Sequence, residues 1–149
     1  MNCTFDSNVL VYVIVKLPDH RGERARDLLN RSRSGGGAVL LLQTLGEFAH
    51  VAMRKFGIAA EEVRSRVTSW RRLIPVHAAG PEDLDLALRF VSDHRMGFWD
   101  AYLCATASRA GLQYLLSEDM QDGRRVGGLR IVNPFRPENA ALIDRILPL

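Results

Sequence analysis

Short apolar segments alternate with longer segments of helical periodicity along most of this chain, and this alternation restricts the folds open to it. The apolar segments predict five β-strands, at residues 1–5, 38–42, 74–78, 113–119 and 129–133. The helical patterns cover residues 7–16, 19–33, 43–56, 60–73 and 81–95, a stretch from about Asp100 to Gly111, and a last segment that begins at Pro137. Strands that alternate with helices form a mostly parallel sheet with helices on both faces. We therefore predict an α/β fold, and 149 residues fit a single domain spanning 1–149.

Composition and charge exclude several classes of protein. A formal net charge of +3 is too small to identify a nucleic-acid-binding protein by itself. Cys3 and Cys104 lie in apolar surroundings without the spacing of metal ligands, so they are predicted to be reduced core residues of an intracellular protein. The apolar run at residues 9–15 is far shorter than the ~20 residues of a membrane span. We expect a cytoplasmic protein that makes no membrane contact.

Acidic residues occur where predicted strands end and helices begin. Asp6 follows the first strand and Asp119 follows the strand in QYLLSED, so both carboxylates emerge at one edge if these strands are neighbours. Glu47 lies in the first turns of the helix after the second strand, and Asp100 lies at a helix start. Four carboxylates from separate elements are therefore expected to converge on one rim of the sheet.

Such a convergence would need a cation. At separations near 6 Å and an effective dielectric of about 20, each pair of carboxylates repels by about 3 kcal/mol, and the whole set by roughly 17 kcal/mol. That repulsion exceeds the ~5–15 kcal/mol stability of a typical domain. Carboxylate oxygens favour Mg²⁺ or Mn²⁺, and the absence of a His/Cys ligand cluster from the sequence argues against zinc. A divalent ion on such a rim suits phosphodiester hydrolysis.

The ordered set of motifs resembles the PIN-domain family, specifically its VapC-like toxin ribonucleases. FDSNVLVY, LGEF, FWDAYLCATA and LLSEDMQDG…LRIVNPF match that family's acidic motifs and closing strand over nearly the whole chain. The resemblance implies a PIN-like three-layer α/β/α fold with a central, mostly parallel five-stranded sheet. It also implies a metal-dependent endoribonuclease with an RNA substrate, a homodimer, and a small VapB-like antitoxin partner.

The resemblance also assigns roles to residues. Asp6, Glu47, Asp100 and Asp119 become metal ligands or organisers of the attacking water, with Asn8 and Ser117 as supporting polar groups. The family often has a second acid two residues beyond the position of Asp119, where this chain has Gln121. Asp122 is displaced by one position and is kept as a further supporting candidate.

Ordinary structural roles remain open for several of these residues. Asp6 and Asp100 could cap helices, and Glu118 is expected to be a solvated strand residue. Trp99 is expected to pack the rim, with stacking on a base as the alternative. At the level of function, the alternative is a catalytically inactive PIN-like scaffold that binds RNA or a protein partner.

Overall fold

The computed structural model describes residues 2–149, so Met1, the first residue of the first predicted strand, lies outside the described residues. The strands are β1 Cys3–Phe5, β2 Leu40–Leu41, β3 Val76–His77, β4 Tyr114–Leu116, β5 Arg125–Val126 and β6 Leu129–Val132. The helices are α1 Ser7–Ile14, α2 Arg21–Gly35, α3 Leu42–Phe56, α4 Ala60–Leu73, α5 Pro81–His94, α6 Phe98–Arg109 and α7 Ala140–Ile146, the last preceded by the 3₁₀ turn Pro137–Asn139.

The sheet is mostly parallel, as predicted. Strands β1, β4, β6 and β5 lie side by side in that order, and only β5 runs antiparallel to its neighbour. Strands β2 and β3 form a separate parallel pair. A single parallel bridge between Cys3 and Ala38, together with a hydrogen bond of 2.9 Å from the Val39 amide to the Cys3 carbonyl, brings this pair beside β1. The five predicted strands therefore all form, in the order β3, β2, β1, β4, β6.

The structure differs from the predicted five-stranded sheet in two details. The predicted strand at 38–42 is reduced to two residues because α3 begins at Leu42, directly after β2. Strand β5 was not predicted; it pairs with β6 through a tight hairpin whose turn contains Gly127 and Gly128. A two-residue strand is too short to show any periodicity.

Residues that alternate along each strand divide the core into two layers. Leu116 of β4 packs with α1, α2, α3, α4 and α7, whereas Leu115 packs with α5 and α6. Leu40 and Leu41 of β2 divide in the same way, as expected when successive side chains point to opposite faces. The predicted three-layer arrangement follows from this division.

The two cysteines are buried on opposite sides of the sheet. Cys3 lies in the layer with α1 and α2, Cys104 lies in the layer with α5 and α6, and both are fully buried free thiols. Burial raises the pKa of each thiol to about 12. Their predicted role as reduced core residues is confirmed. Within residues 2–149, no helix has both the length and the apolar character needed to cross a bilayer.

Candidate active site

Asp6 lies between the end of β1 and the start of α1 and serves both elements. Its backbone amide donates to the Leu116 carbonyl at 2.9 Å, which places it beside the end of β4. One carboxylate oxygen accepts from the Ser7 amide at 2.8 Å and thereby caps α1. The other accepts from the Ser117 hydroxyl, also at 2.8 Å. Ser117 is fully buried, so this predicted supporting residue orients the Asp6 carboxylate directly.

The environment of Asp6 opposes its ionisation. Burial is the main cause that raises its pKa, to about 6 from an ordinary 3.8, and the nearby charges of Glu47 and Asp100 add to this effect. The hydrogen bonds from Ser117 and Ser7 act in the opposite direction because they stabilise the carboxylate. Glu47 and Asp100 are therefore both close enough to Asp6 for their charges to act on its carboxylate.

Glu47 is held by a residue that the sequence analysis missed. The Gln43 amide group donates to a Glu47 carboxylate oxygen at 2.8 Å and to the Trp99 carbonyl at 3.2 Å. Gln43 thus connects α3 to the first turn of α6, where Asp100 also lies. The spacing of four residues between Gln43 and Glu47 was a usable signal, because side chains four apart on a helix are neighbours. Trp99 itself is 63% exposed, so the expectation that it packs against the rim was wrong.

Asp100 and Asp119 line a common open cavity of about 270 Å³ at the same rim. Its wall also includes Arg95, Gly97 and Arg124. Burial against this wall, together with the neighbouring charge of Asp119, raises the pKa of the Asp100 carboxyl. Asp119 is therefore linked electrostatically to Asp100, which is linked in turn to Asp6. The four predicted carboxylates lie along one rim.

Within the described residues, the charges of this rim are not compensated by direct ion pairs. Among residues 2–149, no lysine or arginine nitrogen lies within 4.0 Å of a carboxylate oxygen of Asp6, Glu47, Asp100 or Asp119. The donor set consists of hard carboxylate oxygens, which fits Mg²⁺ or Mn²⁺. The described side chains do not, however, bring three or more His, Cys, Asp or Glu residues together as a group that could hold a metal ion. Carboxylate oxygens are suitable ligands for a divalent ion, but these side chains do not lie close enough together to coordinate one.

Asn8 and Glu118 form a polar group on the α1 side of the rim. The Asn8 side-chain oxygen accepts from the Glu118 amide at 3.4 Å, which ties α1 to the end of β4. Glu118 was expected to be solvated, but its carboxylate accepts from the Tyr12 hydroxyl at 2.5 Å and pairs with Arg21 at 3.2 Å. That expectation was wrong because Arg21 and Tyr12 come from elements whose position next to β4 depends on the tertiary fold.

The Asp122 carboxylate makes contacts that hold parts of the fold together. One of its oxygens accepts from the Asn133 amide at 2.8 Å and from the Asn139 side chain at 3.0 Å, and the other lies 3.5 Å from Arg136. These contacts connect the loop after β4 to the end of β6 and to the 3₁₀ turn. Gln121, not Asp122, lines the cavity beside Asp119.

Comparison with known proteins identifies a family. The family model described as PIN domain matches residues 3–128, which is most of the chain. No curated protein sequence matches the chain.

Solved structures share the fold at low sequence identity. VapC20 of Mycobacterium tuberculosis, a toxin that cleaves the sarcin-ricin loop, is 20% identical, with a TM-score of 0.63 over 79% of this chain and 90% of that chain. A chain of a toxin–antitoxin complex from Klebsiella pneumoniae is 18% identical, with a TM-score of 0.66 over 90% of this chain and 98% of its own. A chain of the DNA-bound VapBC complex from Salmonella typhimurium is also 18% identical, with a TM-score of 0.66 over 88% and 96% of the two chains.

Proposed function

We propose, since this chain belongs to the PIN domain family, that it is a metal-dependent endoribonuclease and the toxin of a type II toxin–antitoxin pair. Support comes from the structural neighbours, which are a ribonuclease toxin of known target and chains of toxin–antitoxin complexes matched over nearly their whole length. The observation that carries the proposal is the buried Asp6 carboxylate, which Ser117 and Ser7 orient beside the charges of Glu47 and Asp100. A carboxylate rim that holds a divalent ion suits hydrolysis of RNA phosphodiesters.

The residues that would hold Mg²⁺ or Mn²⁺ are Asp6, Glu47, Asp100 and Asp119. When bound, such an ion lowers the pKa of its water and neutralises charge on the phosphoryl oxygens. Neighbouring side chains orient two of the proposed ligands. Ser117 fixes the rotamer of the Asp6 carboxylate, and Gln43 fixes that of the Glu47 carboxylate.

The proposed partners follow from the same assignment. We expect a small VapB-like antitoxin as the inhibitor, because the neighbours include VapBC complexes. A homodimer is the expected assembly of the toxin. We expect the activity in the cytoplasm, in keeping with an RNA substrate.

Asp6→Asn is the test of this proposal. The change removes the charge and keeps the shape, so the fold is retained while RNA cleavage with Mn²⁺ falls by more than about 100-fold. Mapping of new RNA ends after incubation with total RNA measures the activity. Asp85→Asn, an identical change on the exposed face of α5, is the matched control and should cleave at the wild-type rate. Cleavage by Asp6→Asn at the wild-type rate would overturn the assignment.

A catalytically inactive scaffold is the second candidate. Two observations favour it: Gln121 stands where the family often has an acid, and no described group of three acids is close enough to hold an ion. Titration with Mn²⁺ in the presence of a total RNA pool separates the two functions, since a scaffold binds RNA and produces no new ends.

A further inference from the structure

Two arginines share the cavity of Asp100 and Asp119, and the hydrolysis proposed above gives them no role. Arg95 follows the last residue of α5, and Arg124 directly precedes β5. Among residues 2–149, neither arginine nitrogen lies within 4.0 Å of any carboxylate oxygen. Guanidinium and carboxylate groups thus line one cavity without neutralising each other in direct pairs. A negatively charged ligand fits between them. The arginines attract its charge, and a cation on the neighbouring carboxylates would offset the repulsion from the rim.

The backbone of Arg95 is in a conformation that an arginine adopts at a cost. Its φ of 53° and ψ of 45° are left-handed, and it is the one non-glycine residue with positive φ in the part of the chain that the structure describes. Glycine is the usual residue at such a helix end, because an L side chain is strained in the left-handed region. Strain of this kind concentrates at functional sites. A strained arginine whose side chain is exposed and faces a cavity is therefore a candidate for a binding role.

Arg124 is anchored at the same place. Its guanidinium donates a hydrogen bond to the carbonyl of His94, the residue before Arg95. The arginine side chain has five N–H donors in a fixed fork, so one such bond leaves donors for a ligand. The Arg124 guanidinium is therefore fixed at the end of α5, next to Arg95, and both arginines line the same cavity.

We propose that Arg95 and Arg124 bind a phosphate group of the RNA backbone in the cavity next to Asp100 and Asp119. This inference rests on the proposed ribonuclease function and names the residues that hold its substrate. Guanidinium groups pair with the two non-bridging oxygens of a phosphodiester through parallel hydrogen bonds. The arginines of α4 are a poorer candidate surface, because Arg64 pairs with Glu61 and the groove that they line contains none of the four rim carboxylates.

The test measures the binding of a fluorescein-labelled single-stranded RNA in EDTA by fluorescence anisotropy. Arg95→Gly relieves the backbone strain and removes the guanidinium, so we expect about tenfold weaker binding together with a thermal midpoint about 3 °C higher. A purely structural arginine would not produce these opposite effects. Arg124→Gln should weaken binding similarly, and each lost phosphate contact should reduce the slope of log affinity against log salt by about 0.7.

Arg66→Gln is the matched control, because it removes one exposed positive charge from α4, away from the cavity. We expect it to bind RNA within twofold of the wild type. Wild-type affinity for Arg95→Gly, or an equal loss for Arg66→Gln, would overturn the proposal.

The binding assay separates this inference from hydrolysis. If the wild type binds RNA and Arg95→Gly weakens binding while no cleavage occurs with Mn²⁺, the arginine site stands and the proposed hydrolysis fails. If the wild type cleaves and both arginine variants cleave with unchanged KM, hydrolysis stands and the arginine site fails.

Discussion

Asp6 combines two roles that normally fall to different residues. One carboxylate oxygen caps α1 and the other accepts from Ser117, while the group as a whole is 8% exposed and adjacent to the charges of Glu47 and Asp100. Capping stabilises the fold, whereas the buried charge destabilises it. The balance between these effects can be measured as the pH dependence of the stability of the fold.

The first prediction concerns stability in EDTA as the pH rises. The pKa of Asp6 is about 6 in the folded chain and 3.8 ordinarily, so the folded state binds the proton more tightly than the unfolded state does. Stability contributed by protonated Asp6 is full below about pH 4 and is lost as the pH rises through about 6, by up to about 3 kcal/mol. Asp6→Asn lacks this loss. Thermal unfolding of both proteins at pH 4 and pH 7 should show the larger decrease in the wild type, and parallel decreases would contradict it.

The second prediction assigns Asp122 to stability. Its carboxylate accepts from the Asn133 amide and the Asn139 side chain, so Asp122→Ala leaves a half-buried amide without its partner. We expect about 1–2 kcal/mol lower free energy of unfolding in urea. Cleavage per folded molecule should stay within twofold of the wild type. A loss of activity comparable to that of Asp6→Asn would instead make Asp122 part of the site.

The sequence predicted the rim residues better than their partners. Asp6 and Asp119 could be placed because parallel strands end at a common edge. The pairing of Glu118 with Tyr12 and Arg21 could not, since it joins residues about 100 positions apart through the packing of α1 and α2 beside β4. Residues so far apart in the chain form no local sequence pattern from which their contact could be predicted.

At the scale of elements, a hydrogen-bonded contact joins α3, which carries Glu47, to the first turn of α6, which carries Asp100. Gln43 makes this contact through one amide group that donates to both helices, to the Glu47 carboxylate and to the Trp99 carbonyl. Its side-chain oxygen is buried without a hydrogen-bond partner among the described residues. Gln43 is therefore a positioning residue for two of the proposed ligands.

The third prediction follows from this contact. Gln43→Ala frees the Glu47 side chain, so kcat for RNA cleavage should fall about tenfold while KM for RNA stays near the wild-type value. The Mn²⁺ concentration for half-maximal activity should rise in parallel. Gln43→Asn, which keeps the amide on a shorter arm, is the matched comparison. If Gln43→Ala changes only the thermal midpoint, its role is structural.

Helices were easier to predict than strands for a physical reason. Glycine and proline mark helix ends locally, as at Gly57 after α3 and Pro81 at the start of α5. Strands of two or three residues that are buried on both faces, such as β1 and β2, show a short apolar run and no alternation. The positions of the predicted strands were therefore recovered, whereas their lengths and the added β5 were not.

At the scale of the whole molecule, Arg31 links the C-terminal helix to α2. This side chain is 9% exposed and joins α2 to α7 through Asp144 at 2.7 Å and the Leu147 carbonyl at 3.1 Å, while Asp27 of α2 lies at 2.9 Å. The C-terminal helix packs Ile143 onto the layer of the core that contains α1 and α2. Arg31 is thus a polar link between the C-terminal helix and the body.

The fourth prediction tests this link. Arg31→Gln should lower the thermal midpoint by roughly 5 °C, because the guanidinium partners of α7 are lost together. Asp144→Asn removes only one partner and should have a smaller effect. A double-mutant cycle with both changes should show non-additive effects, and strict additivity would mean that the pair contributes nothing.

The two buried thiols, one on each side of the sheet, can report local opening of the two core layers. Because Cys3 and Cys104 are inaccessible and their pKa values are raised, a disulfide reagent at neutral pH modifies them only when the surrounding layer opens. Modification of Cys104 therefore measures detachment of α5 and α6, and modification of Cys3 measures detachment of α1 and α2. Single-cysteine variants would resolve which half of the molecule loosens first when heated.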